Sequence, residues 1–379
     1  VRPSPLTRFT LPGELSAAAP PEARGLARDE VRMLVADPEG VTHARFHDLD
    51  RYLTAGDLLV VNVSATLPAA ADGVRADRGG RPVVVHFSTA LDDGTWVVEL
   101  RRAPSADEPV LDGASGERVR LAGEGGLILL TPYPAGAAPA VRGQRLWRAC
   151  LSLPAGVLPF LARHGRPIRY GYVPQRWPLA SYQTVFASEP GSAEMPSAGR
   201  PFTAELVARL VAAGVVLAPV MLHTGVSSPD AGEPPVPERF RVPEPTARLA
   251  TLTRRSGQRV IAVGTTVARA LESAARPDGS VAAAAAWTDL VLGPDRPARV
   301  IDGLLTGLHA PEASHLLLLE AVVGPEVVRR AYDAALEERY LWHEFGDTCL
   351  LLARPARAPG ATLGHVEPVT HPGRGFESG

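Results

Sequence analysis

The chain has 379 residues, 45% of them hydrophobic and 21% charged, with a formal net charge of −2. This excludes a disordered polymer and leaves room for two or three domain-sized cores. No apolar run approaches the roughly 18 residues that span a bilayer, and Val1 to Leu15 lacks the basic head and apolar core of a secretion signal.

These features predict a cytoplasmic protein with no membrane partner. All 39 basic residues are arginine, as a GC-rich genome favours. At near-neutral charge, any RNA contact must come from a local patch. Cys150 and Cys349 have no CxxC partner, so neither a disulfide framework nor a zinc site is expected, and both read as small buried hydrophobes.

In chain order, Asp57 to Asn62 (DLLVVN) reads as a buried strand after a Gly56-Asp57 turn. Short β-rich runs follow at 82–87, 95–100, 117–121 and 126–130, punctuated by Gly79-Gly80, Asp92-Asp93-Gly94 and Asp112-Gly113. That spacing predicts a small antiparallel barrel. Beyond Pro154, strand and helix alternate. Thr203 to Ala213 is apolar at helical spacing, with Thr203 as N-cap and Gly214 as stop. Val215 to Leu222 is a strand that delivers His223, and Arg259 to Val263 leads through Gly264-Thr265-Thr266 into a helix ending near Ala275. Two more helices are expected at 314–323 and 325–339. The fold class is therefore layered α/β with an inserted β-barrel. The α/β domain comprises 1–66 and 155–354, the barrel 67–154, and a loose tail 355–379.

Chemistry concentrates at strand ends. The start of the Thr265 helix offers free amides and a dipole suited to a carboxylate or phosphate, although the threonines equally suit simple capping. No Gly-Lys-Ser/Thr follows, so this is not a P-loop. His223, Asp302, His309 and Asp347 stand beside glycines or prolines after apolar runs, as general bases or ligand anchors can, yet each alone is more often a structural hydrogen-bonder. Tyr182, Trp287 and Trp342 suit purine stacking or core filling. No metal-ligand cluster is visible in the sequence.

Read together, these segments resemble the S-adenosylmethionine:tRNA ribosyltransferase-isomerases of queuosine biosynthesis. The resemblance runs in order through Phe9-Thr10-Leu11-Pro12, Arg28-Asp29 with Arg32, Gly56 to Asn62, Tyr182-Gln183-Thr184-Val185-Phe186-Ala187, and Pro196-Ser197-Ala198-Gly199. It continues through Leu222-His223, the AVGTT turn with Arg269 and Leu271-Glu272, Thr288-Asp289, Asp302-Gly303-Leu304, His309 with Pro311, and Tyr340 with Gly346-Asp347. It implies S-adenosylmethionine as ribosyl donor and 7-aminomethyl-7-deazaguanine in tRNA as acceptor. Epoxyqueuosine, adenine and methionine are the implied products, with no metal and a monomeric enzyme. By this resemblance His223 or Glu238 would transfer a proton, and His309 and Asp347 would orient the substrate. Gly264, Thr265, Thr266, Arg269, Tyr182, Gln183, Ser197, Gly199, Asn62 and Asp302 would bind it.

The chain departs from the family pattern in several places. Val63-Ser64-Ala65 replaces Asp-Thr-Arg, Arg200-Pro201 replaces Leu-His, and Ser227-Ser228-Pro229 replaces Gly-Thr-Phe. Pro235-Val236 replaces Met-His, Gly307 replaces asparagine, and 341–345 replaces a more basic and aromatic stretch. Losing an arginine is not conservative where it pairs an anion. The departures leave open a paralogue with a small-molecule acceptor, or a silent S-adenosylmethionine-binding protein. On the tRNA reading Arg200 and His343 would compensate, and an arginine-rich face should adjoin the pocket.

Overall fold

The computed structural model describes residues 4–134, 143–226 and 236–354. The expected tail 355–379 and the departures at Ser227-Ser228-Pro229 and Pro235 lie outside these residues.

The main sheet has nine strands. In spatial order they are Ala284–Thr288, Glu238–Val242, Val216–Leu222, Leu58–Asn62, Val260–Val263, Gly303–Gly307, Thr348–Leu352, Arg32–Asp37 and Gly40–Arg45. Four central strands, beginning at Val216, Leu58, Val260 and Gly303, run parallel. Their largely apolar sequences follow from burial on both faces over most of their length. Leu58, Val60, Ala262 and Leu304 face a core with Val267, Leu271, Leu316, Leu319 and Tyr332. Leu59, Val61, Ile261 and Leu305 face another with Phe46, Phe202, Leu206 and Leu210. The DLLVVN strand is thus buried throughout, with a parallel strand on each side.

Helix signals were local and legible. Thr203 Oγ1 accepts from the Leu206 amide at 3.1 Å, and the helix Ala204–Ala212 ends before Gly214, whose φ is +81°. The later helices span Thr265–Ser273, Ser314–Val323 and Pro325–Glu337.

A closed barrel pairs six strands: Leu146–Ser152, Trp96–Arg102, Arg81–Ala90, Ala70–Arg75, Arg118–Leu121 and Gly126–Pro132. Phe87, Val85, Val98 and Leu129 fill it. The periodicity missed Ala70–Arg75, whose small residues carry little strand propensity. They serve close packing, since a Cβ on Gly73 would stand 2.8 Å from Val119 Cγ1. It also missed Leu146–Ser152. On that strand Ala149 points inward and Cys150 outward, so Cys150 is exposed and only Cys349 is buried as expected.

Candidate active site

Where the carboxyl ends of the parallel strands face the barrel, a cavity of about 610 Å³ opens. Its floor is Gly264, Thr265 and Thr266 after one strand and Thr306 to Ala310 after the next. His86, Glu99 and Arg101 of the barrel form one wall, while Tyr170, Tyr172, Tyr182 and residues 193–198 form another. His343 and Glu344 complete the lining.

The floor follows from local backbone rules. Gly264 sits at φ +98°, its amide donates to the Leu305 carbonyl at 2.7 Å, and its own carbonyl receives the Ala268 amide at 3.2 Å. The amides of Thr265 and Thr266 therefore precede the first intrahelical bond and present the positive end of the helix to the cavity. Asn62 ties this floor to its neighbours. Its amide donates to the Leu222 carbonyl at 2.9 Å and to Thr266 Oγ1 at 3.3 Å, while its oxygen accepts from the Ser64 amide at 3.0 Å.

Of the four histidines that line the cavity, His86 lies 3.7 Å from Glu99, while His309, His315 and His343 have no carboxylate partner among the described residues. His309 Nε2 lies 2.9 Å from Thr306 Oγ1, its backbone amide donates to the Tyr332 hydroxyl at 3.1 Å, and its ring stacks on His315 at 4.5 Å. Burial, then the neighbouring imidazoles, hold His309 well below the usual histidine range, and burial pushes His315 down to about 4. Burial also lowers His343. These rings are neutral near pH 7 and able to accept a proton. His343 stacks on Tyr172 at 4.2 Å, and Tyr172 on Tyr170 at 5.8 Å. The Tyr172 hydroxyl donates to Glu344 Oε2 at 2.6 Å, and burial pushes that carboxyl up to about 7.

Of the residues read from sequence, Gly264, Thr265, Thr266, Tyr182, Ser197 and His309 line the cavity together. The others stand behind or away from it. His223 Nδ1 lies 2.7 Å from Ser64 Oγ, in line with Ser192, and Gly191 lies so close that a Cβ there would be 2.4 Å from the ring. Glu238 is ion-paired with Arg269, which also donates to the Thr288 carbonyl at 3.0 Å; the pair joins the Thr265 helix to the edge strand and its neighbour. Asp347 accepts from Arg32 at 3.0 Å and from the Leu341 amide at 2.8 Å, bracing the 341–347 loop. Gln183 makes a reciprocal pair with the Thr66 backbone at 2.8 and 3.0 Å, and Gly199 packs against Thr184. Asp302 lies at the opposite end of the sheet, receiving the Val260 amide at 3.0 Å and Arg354 at 2.9 Å.

Among the altered positions, Arg200 pairs with Glu22 at 2.8 Å and covers the Phe345 ring, whereas His343 enters the cavity. Gly307 leaves space there, since a Cβ would meet nothing nearer than the His343 carbonyl at 4.0 Å. Trp342 fills the core and donates to the His309 carbonyl at 3.0 Å. Sequence reasoning missed His86, Glu99, Arg101, Tyr170, Tyr172, Glu194 and His315. The barrel residues carried no motif, because they sit on strands whose signal is only alternation. Tyr170-Gly171-Tyr172, in an irregular stretch between strong elements, was the one available cue.

A cavity at the carboxyl ends of parallel strands, with a helix N-terminus and neutral imidazoles in its lining, defines an α/β enzyme with a buried site for a polar substrate. The family model described as "Queuosine biosynthesis protein" matches residues 6–351, and the chain belongs to that family. It is 34% identical to the S-adenosylmethionine:tRNA ribosyltransferase-isomerase of Hyphomonas neptunium, over 91% of this chain and 98% of that protein. It is also 34% identical to that of Moorella thermoacetica, over 86% and 94%. A solved S-adenosylmethionine tRNA ribosyltransferase from Thermotoga maritima is 27% identical, covering 91% of this chain and 99% of its own, with a TM-score of 0.49.

Proposed function

We propose that this chain transfers and isomerises the ribosyl group of S-adenosylmethionine onto 7-aminomethyl-7-deazaguanine in tRNA, releasing adenine and methionine. Membership of the family over nearly the whole chain carries the reading. The altered motifs do not dismantle the cavity: Ser64 hydrogen-bonds His223, Arg200 is ion-paired, and His343 adds an imidazole to the lining.

Within this reading the amides at Thr265 and Thr266 hold the methionine carboxylate. His309, neutral and buried beside Thr306, is the group we assign to proton transfer at the ribose 5′-carbon, whose hydrogen the adjoining sulfonium acidifies. His223, Glu238, Asp347 and Asn62 act as positioning residues that hold the floor and the loops around it. Among the described residues no group of three or more potential metal ligands occurs and no helix is long and apolar enough to cross a membrane. A monomeric, cytoplasmic, metal-independent enzyme with the barrel as a separate inserted domain remains part of this proposal.

A run of arginines in the sequence that leads into the cavity wall supports tRNA as partner. From 125 to 188 the sequence contains seven arginines and no aspartate or glutamate. Arg163 and Arg176 of this stretch are exposed and Arg169 is half-buried, on the segment that carries Tyr170 and Tyr172 into the cavity wall. The test is a product assay with S-adenosylmethionine, with and without tRNA bearing the aminomethyl base, read by mass spectrometry. Adenine release that depends on this tRNA, with epoxyqueuosine in the digest, is expected. Binding of S-adenosylmethionine without any tRNA-dependent product would overturn the acceptor.

A further inference from the structure

Glu344 is a buried carboxylate of the cavity wall with one oxygen engaged and the other not. Oε2 receives the Tyr172 hydroxyl at 2.6 Å, while Oε1 is shielded from solvent and has no hydrogen-bond partner. Leaving a buried carboxylate oxygen unpaired is unfavourable, so a native structure keeps one where something else completes it. Nearby cations do not. A small pocket behind Glu344 contains Arg200 and Asp347, but Arg200 is taken by Glu22 at 2.8 Å, and Asp347 by Arg32 at 3.0 Å. On the cavity side the titratable neighbours are Tyr172, Tyr182 and His343, and burial lowers the His343 pKa. Among the described residues, no cation pairs with Glu344.

The surroundings fix the group in place. Tyr172 is stacked between Tyr170 and His343, which fixes its ring, and its single hydroxyl proton can serve only one of the two carboxyl oxygens at a time. His343 itself holds a left-handed backbone, φ +73°, a conformation that non-glycine residues adopt at a cost and that recurs at working sites. The Gly346 turn holds this loop closed, since a Cβ there would stand 2.3 Å from the Leu341 carbonyl.

We propose that Glu344 is the seat of a primary ammonium group carried by a substrate, received by Oε1 while Tyr172 holds Oε2. The proposal rests on the function given above, under which both substrates carry such a group. S-adenosylmethionine has the α-ammonium of its methionine half, and the acceptor base has its aminomethyl group. Pairing with an ammonium favours the ionised carboxylate, so binding releases a proton and strengthens as pH rises through neutrality.

Calorimetric titration of the wild type and Glu344→Gln at about pH 6 and about pH 8 tests this. The ligands are S-adenosylmethionine and an anticodon stem-loop bearing either the aminomethyl base or plain guanine. The glutamine variant should lose about 10- to 100-fold in affinity for the ligand whose ammonium is seated. Its affinity should no longer rise with pH. Loss toward S-adenosylmethionine assigns the methionine end; loss only toward the aminomethyl stem-loop assigns the acceptor. Wild-type affinity and pH dependence in Glu344→Gln, whatever its melting temperature, would sink the seat alone. A wild type that binds neither ligand would instead remove the parent function and the seat with it.

Discussion

The two ends of the same parallel strands carry similar residue types and use them in opposite ways. At the amino end Asp57 is wholly buried, accepts Arg259 Nε at 3.1 Å and caps the Thr54 amide at 2.8 Å. Asp302 there is satisfied by the Val260 amide and Arg354. At the carboxyl end Glu344 meets no guanidinium, and His309, His315 and His343 are held neutral by burial rather than by partners. One end spends its polar groups on closing the fold. The other leaves them incomplete, and incomplete groups are the ones that can bind or move protons.

Breaking each end should therefore separate activity from stability. His309→Asn should lower turnover by about 10²- to 10⁴-fold, the usual weight of a proton-transfer group. Its melting temperature should stay close to the wild type, and adenine release at saturating substrates is the readout. Unchanged turnover would return the role to another imidazole of the cavity. Asp57→Asn should do the reverse. Removing one partner of a buried ion pair strands Arg259, at a cost of about 3 to 5 kcal/mol in unfolding free energy. Urea denaturation measures that loss, while turnover per folded molecule should hold.

This contrast sets the limit of what the sequence conveyed. Gly264-Thr265-Thr266 was legible because a glycine after an apolar strand and two hydroxyls before a helical period are local signals, and the cavity floor is built from them. His223 and Asp302 look equivalent to His309 by the same local reading, since all stand beside glycines or prolines at strand ends. What distinguishes them is which way the strand runs and what packs opposite, and both are tertiary facts. Asp302 precedes its strand while His309 follows it. Glu238 and Asp347 each find an arginine, at positions 269 and 32, that no spacing rule connects to them. The barrel followed from turn clusters, but its contribution to the cavity did not. Alternation says that Glu99 and Arg101 share a face of their strand, not that this face meets the cavity.

A smaller effect sharpens the comparison on the side of stability. Glu344 is pushed up to about 7 from its ordinary 4.5, so the native state holds its proton over a range where the unfolded chain has lost it. Stability from this group is thus present below the unfolded value and declines as pH rises between about 4.5 and 7, by at most about 3 kcal/mol. The buried histidines act with the opposite sign, weakening the fold as pH falls below about 6.5, where only the unfolded chain takes up the proton. Subtracting Glu344→Gln from wild type isolates the carboxyl. The variant should gain on the wild type as pH rises and hold a constant advantage above about pH 8. Melting curves of the two proteins that run parallel across this range would show that the carboxyl is hydrated in solution, unlike the sealed carboxylates of the amino end.

The smallest effect concerns the approach to the open end. Arg163, Arg169 and Arg176 lie in a stretch without acidic residues, and none of them is ion-paired among the described residues, unlike Arg166 with Asp72 at 2.6 Å. If these three contact phosphates, replacing them together by alanine removes their share of counterion release. The slope of log affinity against log salt should become shallower by roughly 2 to 3, at about 0.7 to 0.9 per contact. Modified and unmodified stem-loops should weaken equally, because phosphate contacts position without reading bases. Binding of S-adenosylmethionine should not change. An unchanged salt slope would move the tRNA to another face, and a loss confined to the modified base would mean that these arginines read the acceptor rather than the backbone.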